Sequence, residues 1–366
     1  MKIEIQQDSL LKSLKTVSRA VSGHTTLQVL GNILIRAEGK KVHFAATNLE
    51  ISISTSVEAV VKNEGAITVP AKIFTSYVSL LKNDEDIELS VIDGSTLEVK
   101  SKSSKTKIKG IVADEFPNIP RVEGKTKIEI PAEDFRNAVS QVAFAAQENS
   151  SRPILSGVFF AVDGSELRMA ATDSYRLSER KLTLGQKSEK TNCVIPVRTV
   201  YEADRLAPNA ETVTLHISDN QVMFSFEGTE LTSRLIEGQF PDYQQIIPKD
   251  FVTTLKVERN ALSLGVRRVS IFAKENNQHM KLECTADGNL TVSTEMTQVG
   301  QERTEMPSEI DGRANVIALN ADYLLDALSA LGGEKVQVQL KEKMNPAVLK
   351  PTEGEDFVHL IMPLKM

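Results

Sequence analysis

The side chains through which this chain could do covalent or metal chemistry are few and scattered. Its five histidines, His24, His43, His216, His279 and His359, show no metal-ligand spacing. Its two cysteines, Cys193 and Cys284, form no metal or redox motif, and a reducing cytoplasm is the plain reading. No phosphate-cradling glycine loop, dinucleotide fingerprint, HExxH zinc motif or GxSxG nucleophile elbow occurs. Asp173 in ATDSYR could be imagined as a general base, but it has no evident partner and reads as a turn-forming residue. The pattern predicts no catalytic residue, no metal and no cofactor.

Positive charge, in contrast, recurs with a pattern. Lys12, Lys15, Arg19, Lys72, Lys82, Arg136, Arg198, Arg205, Arg267 and Arg268 fall in segments with helical period, 9–21, 71–83, 132–146, 197–207 and 259–274; a sixth such segment is 320–331. Together the six segments hold 12 Lys/Arg against 6 Asp/Glu, or +6 in a chain of formal net charge -6, so the remainder carries -12. For one helix this is an ordinary solvated face. Segregation over five of six implies a surface that attracts a polyanion while the rest repels it. With no Trp and 5% aromatics, a stacking platform for single strands is not expected. A second cluster, Leu360–Leu364, is apolar near the chain end and reads either as a last core strand or as part of an apolar groove.

The elements that must position these residues repeat. KIEI stands at 2–5 and again at 127–130, each time followed by a short turn and a helix-period pattern. With Gln6 and Pro131 as turn positions, the arrangement recurs at Pro70, Pro196, Glu258 and Asn320, at spacings of 64, 61, 65, 62 and 62 residues. One and three residues before each turn are apolar residues such as Ile5 and Ile3, one face of a strand. Four, eight and eleven after it are apolar residues such as Leu10, Leu14 and Val17, one side of a helix. Asp204 breaks the pattern at offset eight. The rest of each unit alternates as strands, most turning at Asp-Gly, Glu-Gly or Asp-Asn, as in VFFAVDGSELRMAAT.

Each unit is therefore read as β-α-β-β-β. One helix cannot cover a sheet of four strands, so two units pair their helices in one domain. The 366 residues then divide into three similar α+β domains, 1–122, 123–251 and 252–366, with junctions in FPNIPRVEGKTK and FPDYQQIIPKDFVT. The first residues read as strand then helix, not as a signal peptide, and no apolar run nears the ~20 residues that span a bilayer. Helices pack ~10 Å apart, so six in a ring leave an opening of only ~9 Å, whereas twelve leave ~28 Å. Duplex DNA is roughly 20 Å across. One chain cannot encircle it; two chains could.

Several stretches, in order, resemble the bacterial sliding clamp family, the β subunit of DNA polymerase III. They are TTLQVLGNILI, ADEFPNIP, RPILSGVFF, AATDSYRLS, SRLIEGQFPDY and the terminal LIMPLKM, and the resemblance runs along the whole chain. It implies the DNA clamp fold, a half ring with helices inside and sheets outside. It implies a non-catalytic, head-to-tail homodimeric ring around double-stranded DNA, loaded by a clamp loader and tethering DNA polymerases and repair proteins through short hydrophobic peptides, with no membrane association.

Carried over by position, the resemblance implies a partner-peptide pocket of Leu155, Thr172, Ser174, Tyr175, Arg176, Leu177, Pro241, Ile246, Tyr323, Met344, Pro346, Leu360, Ile361, Met362, Pro363 and Leu364. For DNA it implies the inner helices, with Lys12, Lys15, Arg19, Lys72, Lys82, Arg136, Arg198 and Arg205, and loops carrying His24, Thr25, Gln147, Asn149 and Arg152. Such contacts reach phosphates without reading bases. The implied dimer contact joins Thr106 and Ile108 to Ile271 and Phe272. His24, Gln28 and Gln245 depart from residues common in the family.

Overall fold

The computed structural model describes residues 1–23, 26–119, 122, 125–342, 344–354 and 356–365. Each of the six turn positions is the last residue of a strand, and an α-helix starts on the next residue. The helices are α1 (Gln7–Val17), α2 (Ala71–Ser79), α3 (Ala132–Val142), α4 (Val197–Leu206), α5 (Arg259–Ala273) and α6 (Ala321–Ala330). Proline at three of these positions supplies the extended backbone that precedes a first turn; Pro70 has φ -56° and ψ 115°. Where proline is absent a side chain can cap instead. Asn320 accepts from the backbone N–H of Asp322 at 2.9 Å and of Tyr323 at 3.2 Å, and Glu258 caps α5.

The expected apolar offsets are the buried ones. Ile3, Ile5, Leu10, Leu14 and Val17 are buried, as are Leu255, Val257, Leu262, Val266 and Val269 in the fifth unit. Leu81 and Asp204 are half-buried exceptions. The helices stop one to four residues short of the predicted ends, and α1, α3, α4 and α5 are each followed by a 3₁₀ turn.

The chain packs as two compact units, one of Met1–Glu133 with Glu202–Leu235, the other of Asp134–Tyr201 with Ile236–Met366. In the first, α1 lies on α2, and the Gln7 side-chain amide donates to the Val78 carbonyl at 2.8 Å. Its eight-stranded sheet runs Thr126–Pro131, Thr212–Ile217, Gln221–Phe226, Thr229–Arg234, Ile51–Glu58, Lys41–Thr47, Asn32–Glu38, Gly65–Pro70. In the second, α5 lies on α6, with Arg259 donating to the Leu331 carbonyl at 3.0 Å near the helix end, where a cation is favoured. Its seven-stranded sheet runs Gly157–Thr172, Arg176–Pro196, Phe357–Ile361, Ala347–Pro351, Lys335–Leu340, Thr253–Glu258, Glu309–Gly312. Each of these sheets is continuous across one of the junction segments expected from sequence.

Two features depart from the expected unit. The hairpin turn expected at Asp163-Gly164 is a bulge: Gly157–Thr172 runs through it and pairs antiparallel with Arg176–Pro196, the register shifting on both sides of Gly164. Gly164 has φ 63°, a left-handed conformation, and from Val162 to Glu166 the partner runs from Thr191 to Thr183, so the extra residues lie on the partner strand. The first and fifth units also gain a short edge strand, Val60–Asn63 and Glu309–Gly312. Both are mostly exposed, so they carried no apolar alternation to read.

Candidate functional site: an apolar pocket and a basic helix face

The turn at Asp173–Tyr175 is built by its own side chains. Asp173 Oδ1 accepts from the backbone N–H of Tyr175 at 2.9 Å and of Arg176 at 3.0 Å. Thr172 Oγ1 accepts from Ser174 N–H at 3.1 Å and donates to the Arg176 carbonyl at 2.6 Å. These bonds hold Ser174 at φ 80°, and Asp173 forms the turn as read from sequence. The Tyr175 carbonyl then accepts from Met362 N–H at 2.8 Å, extending the ladder in which Leu177 faces Leu360.

Period-two alternation sends these residues to opposite faces. Leu177, Val358 and Leu360 join one cluster, with Phe240 and Tyr243 from the segment after residue 235. Ile361 and Phe357 join the other, against α5 and α6. Phe159 and Phe240 stack at 4.9 Å, and Tyr243 meets both edge-on. The Tyr243 hydroxyl donates to the buried Glu179 carboxylate, and burial, then this bond, pushes the phenol well above its ordinary range.

Above this floor is a cavity of about 410 Å³ lined by Arg152, Ile154, Leu155, Thr172, Ser174, Arg176, Leu177, Pro241, Tyr243, Ile246, Leu360 and Met362. Its size and mostly apolar wall with a few polar groups suit a small organic or peptide ligand. Nine of the sixteen expected pocket residues are brought together here. Of the rest, Tyr175 is exposed at the turn tip, Met344 is exposed, and Pro346 is buried. Ile361 is buried on the opposite face, Pro363 is half-buried, and half-buried Leu364 donates its N–H to the Ala318 carbonyl at 2.8 Å. Tyr323, on α6, lies under the Arg176 guanidinium at 4.6 Å. Ile154 and Tyr243 were missed, and Arg152 was expected only at DNA. Their signal lay in RPILSGVFF and FPDY, but which residues of a loop face inward depends on its folded path.

Arg176 anchors the site from the helix side. Its guanidinium donates to Asp173 at 3.1 Å, to Asp326 of α6 at 2.5 Å and to the Phe144 carbonyl at 2.8 Å. Close by, His359 shares a 2.7 Å hydrogen bond with Ser178 Oγ and stacks on Phe144 at 5.4 Å. Burial, helped by the Arg176 charge, pushes the imidazole down to about 3, so it is neutral.

The cations sit where helix geometry sends them. Offsets four, eight and eleven from the turn point into the core. Lys12, Lys15, Lys72, Arg136, Arg198, Arg205 and Arg267 stand at offsets two, five, six or nine, roughly 90–170° around the helix from that face, and all are exposed. Lys82 and Arg19 are also exposed. Arg19 and Arg205 share the two oxygens of the buried Glu202, each at 2.7 Å, so two of the expected DNA cations are already paired. Gln147, Asn149 and Arg152 are exposed in the loop before Pro153; His24 and Thr25 lie outside the described residues. Of the dimer residues, half-buried Thr106 and buried Ile108 are on Lys105–Lys109, an edge strand. Ile271, exposed, and Phe272, half-buried, are near the end of α5. Among the described residues, no helix is long and apolar enough to cross a membrane.

Models of the N-terminal, central and C-terminal domains of the DNA polymerase III beta subunit match residues 1–120, 129–242 and 244–365. The chain belongs to the DNA polymerase III beta subunit family. It is 33% identical over 390 residues to the beta sliding clamp of Synechocystis sp. and 32% over 375 residues to that of Synechococcus elongatus, with 100% of each chain covered. Among solved structures it is similar to the sliding clamp of Bacillus subtilis, with TM-score 0.96 and 30% identity over 100% of this chain and 99% of that one. A Pseudomonas aeruginosa sliding clamp bound to griselimycin gives TM-score 0.95 and 26% identity, with 100% of both chains covered. The fold is thus the α+β clamp fold. The family is a non-catalytic processivity factor, so the chain is not an enzyme.

Proposed function

We propose that this chain is a DNA sliding clamp, a homodimeric ring in the cytoplasm that encircles duplex DNA, is closed there by a clamp loader, and tethers replicative polymerase and repair proteins. The observation that carries this reading is the repeated exposure of cations opposite the buried face on five of six helices. Exposed cations that recur from helix to helix hold DNA by its phosphates, without choosing a sequence. The three family-model spans support a division into domains 1–122, 123–251 and 252–366. The 410 Å³ cavity is the proposed peptide pocket. Thr106, Ile108, Ile271 and Phe272 are the proposed dimer contacts, and the exposed lysines and arginines with Gln147, Asn149 and His24 the proposed DNA contacts.

The test is retention on DNA of two topologies at moderate salt. The protein is expected to stay on closed circles after loading and to run off when the circle is cut. Replacing Lys12, Lys15 and Lys72 by alanine should flatten the salt dependence of DNA association by about one log-log unit for each lysine that meets a phosphate. Equal retention on circular and linear DNA would refute encirclement.

A further inference from the structure

The backbone of the peptide pocket occurs twice. In the first unit, Thr47 Oγ1 donates to the Ile51 carbonyl at 2.8 Å and accepts from Leu49 N–H at 3.0 Å. Asn48 Oδ1 accepts from Glu50 N–H at 3.0 Å and Ile51 N–H at 2.8 Å. This is the bonding pattern of Thr172 and Asp173, and Leu49 has φ 74° where Ser174 has 80°. The adjoining wall repeats as well. Leu30 N–H donates to the Leu27 carbonyl at 3.0 Å, and Leu155 N–H to Arg152 at 2.9 Å. The Leu30 carbonyl accepts from Ser22 at 3.1 Å, and the Leu155 carbonyl from Gln147 at 3.0 Å. Finally, Arg234 N–H donates to Glu50 at 3.3 Å as Met362 N–H does to Tyr175 at 2.8 Å, and Ser52 faces Thr232 as Leu177 faces Leu360.

With the backbone shared, the side chains on the outward face decide what each site accepts. Ser52 stands for Leu177, Thr232 for Leu360 and Arg234 for Met362. The first unit therefore offers two hydroxyls and a guanidinium where the second offers three apolar groups. An apolar side chain settling there would strip water from polar groups and gain little apolar contact in return. The outward clusters reflect this: one gathers Leu177, Val358, Leu360 and Tyr243, while its twin gathers only Val29, Leu30, Ala45 and Phe116 as buried members among the described residues.

We infer that the first unit holds a degenerate twin of the peptide pocket, and that Ser52, Thr232 and Arg234 are the specificity determinants that close it to hydrophobic peptides. Each chain then takes one peptide. This rests on the pocket reading given under Proposed function. The test is calorimetric titration of the full chain with a short peptide carrying adjacent Leu and Phe. The wild type is expected to bind one peptide per chain. The variant S52L/T232L/R234M is expected to bind two, the second within about tenfold of the first in affinity.

A folded triple variant that still binds one peptide, or a wild type that binds two, overturns the inference. If the triple variant does not fold, two conservative changes decide. R234M alters only an exposed side chain, and a photo-crosslinking form of the peptide should label residues 26–52 in it but not in wild type. M362R should weaken the original pocket at least tenfold. No new label with R234M, or unchanged affinity with M362R, counts against it. A wild type that binds no such peptide defeats the pocket reading itself, whereas one site before and after substitution defeats only the claim about the twin.

Discussion

Arg176→Ala removes the group that ties the pocket turn to α6. Side-chain exposure is 12% for Arg176 and 11% for Asp173, whereas Asp326 is 49% exposed. Removing one partner of a buried ion pair costs about 3–5 kcal/mol. Here Asp173 keeps two backbone N–H donors, which places the loss at the lower end. The half-exposed Asp326 contributes less than about 1 kcal/mol. The orphaned Phe144 carbonyl and the missing stacking on Tyr323 and Phe144 add roughly 1 kcal/mol. A local loss of about 4 kcal/mol is expected, or roughly a thousandfold in an opening equilibrium. A protein of several units does not unfold in two states, so the measurement must be local. Amide hydrogen exchange at Met362, whose N–H is held by the turn, should accelerate about a thousandfold, and peptide affinity should fall with it. Arg176→Lys keeps the charge but not the fork, and should fall between. Exchange within threefold of wild type in the alanine variant would refute the claim that Arg176 holds the pocket.

The buried His359 predicts a pH effect. Its folded pKa of about 3 lies below the ordinary ~6.5, so the unfolded chain binds the proton more readily and stability falls as pH drops from 6.5 toward 3. At pH 5 the loss is about 2 kcal/mol. His359→Asn should lose that much less local stability than wild type between pH 7 and pH 5, read as amide protection factors in Phe357–Ile361; equal pH dependence in the two would contradict a buried neutral ring. Deleting residues 362–366 removes the Met362 and Leu364 backbone bonds and one pocket wall, while Ile361 stays in the core. The truncated chain should remain dimeric by sizing and lose peptide binding; unchanged peptide affinity would refute the pocket assignment.

Much of the architecture is determined locally, and so is readable from the chain itself. The strand-to-helix switch at Gln6, Pro70, Pro131, Pro196, Glu258 and Asn320 follows from a change of apolar period from two to near four across one residue. The exposure of Lys12, Lys15, Lys72 and Arg198 follows from their angle to the buried offsets. Asp163-Gly164 shows the limit. A glycine with φ 63° suits a turn or a bulge equally well, and only the strand it pairs with decides which.

The pocket belongs to the other category. Period-two alternation could say that Leu360 and Ile361 point to opposite faces, but not which face is the core and which the cavity floor. That was decided by residues distant in the chain: Leu177 beside Leu360, Phe240 and Tyr243 laid over them, and Arg176 reaching Asp326 from the far side. The same holds for Arg19 and Arg205, which read as free cations until folding places Glu202 between them. Local patterns fix where a side chain points relative to its own element, because backbone geometry sets the period. What it meets there is set by contacts between residues far apart in sequence, and those exist only once the chain has packed.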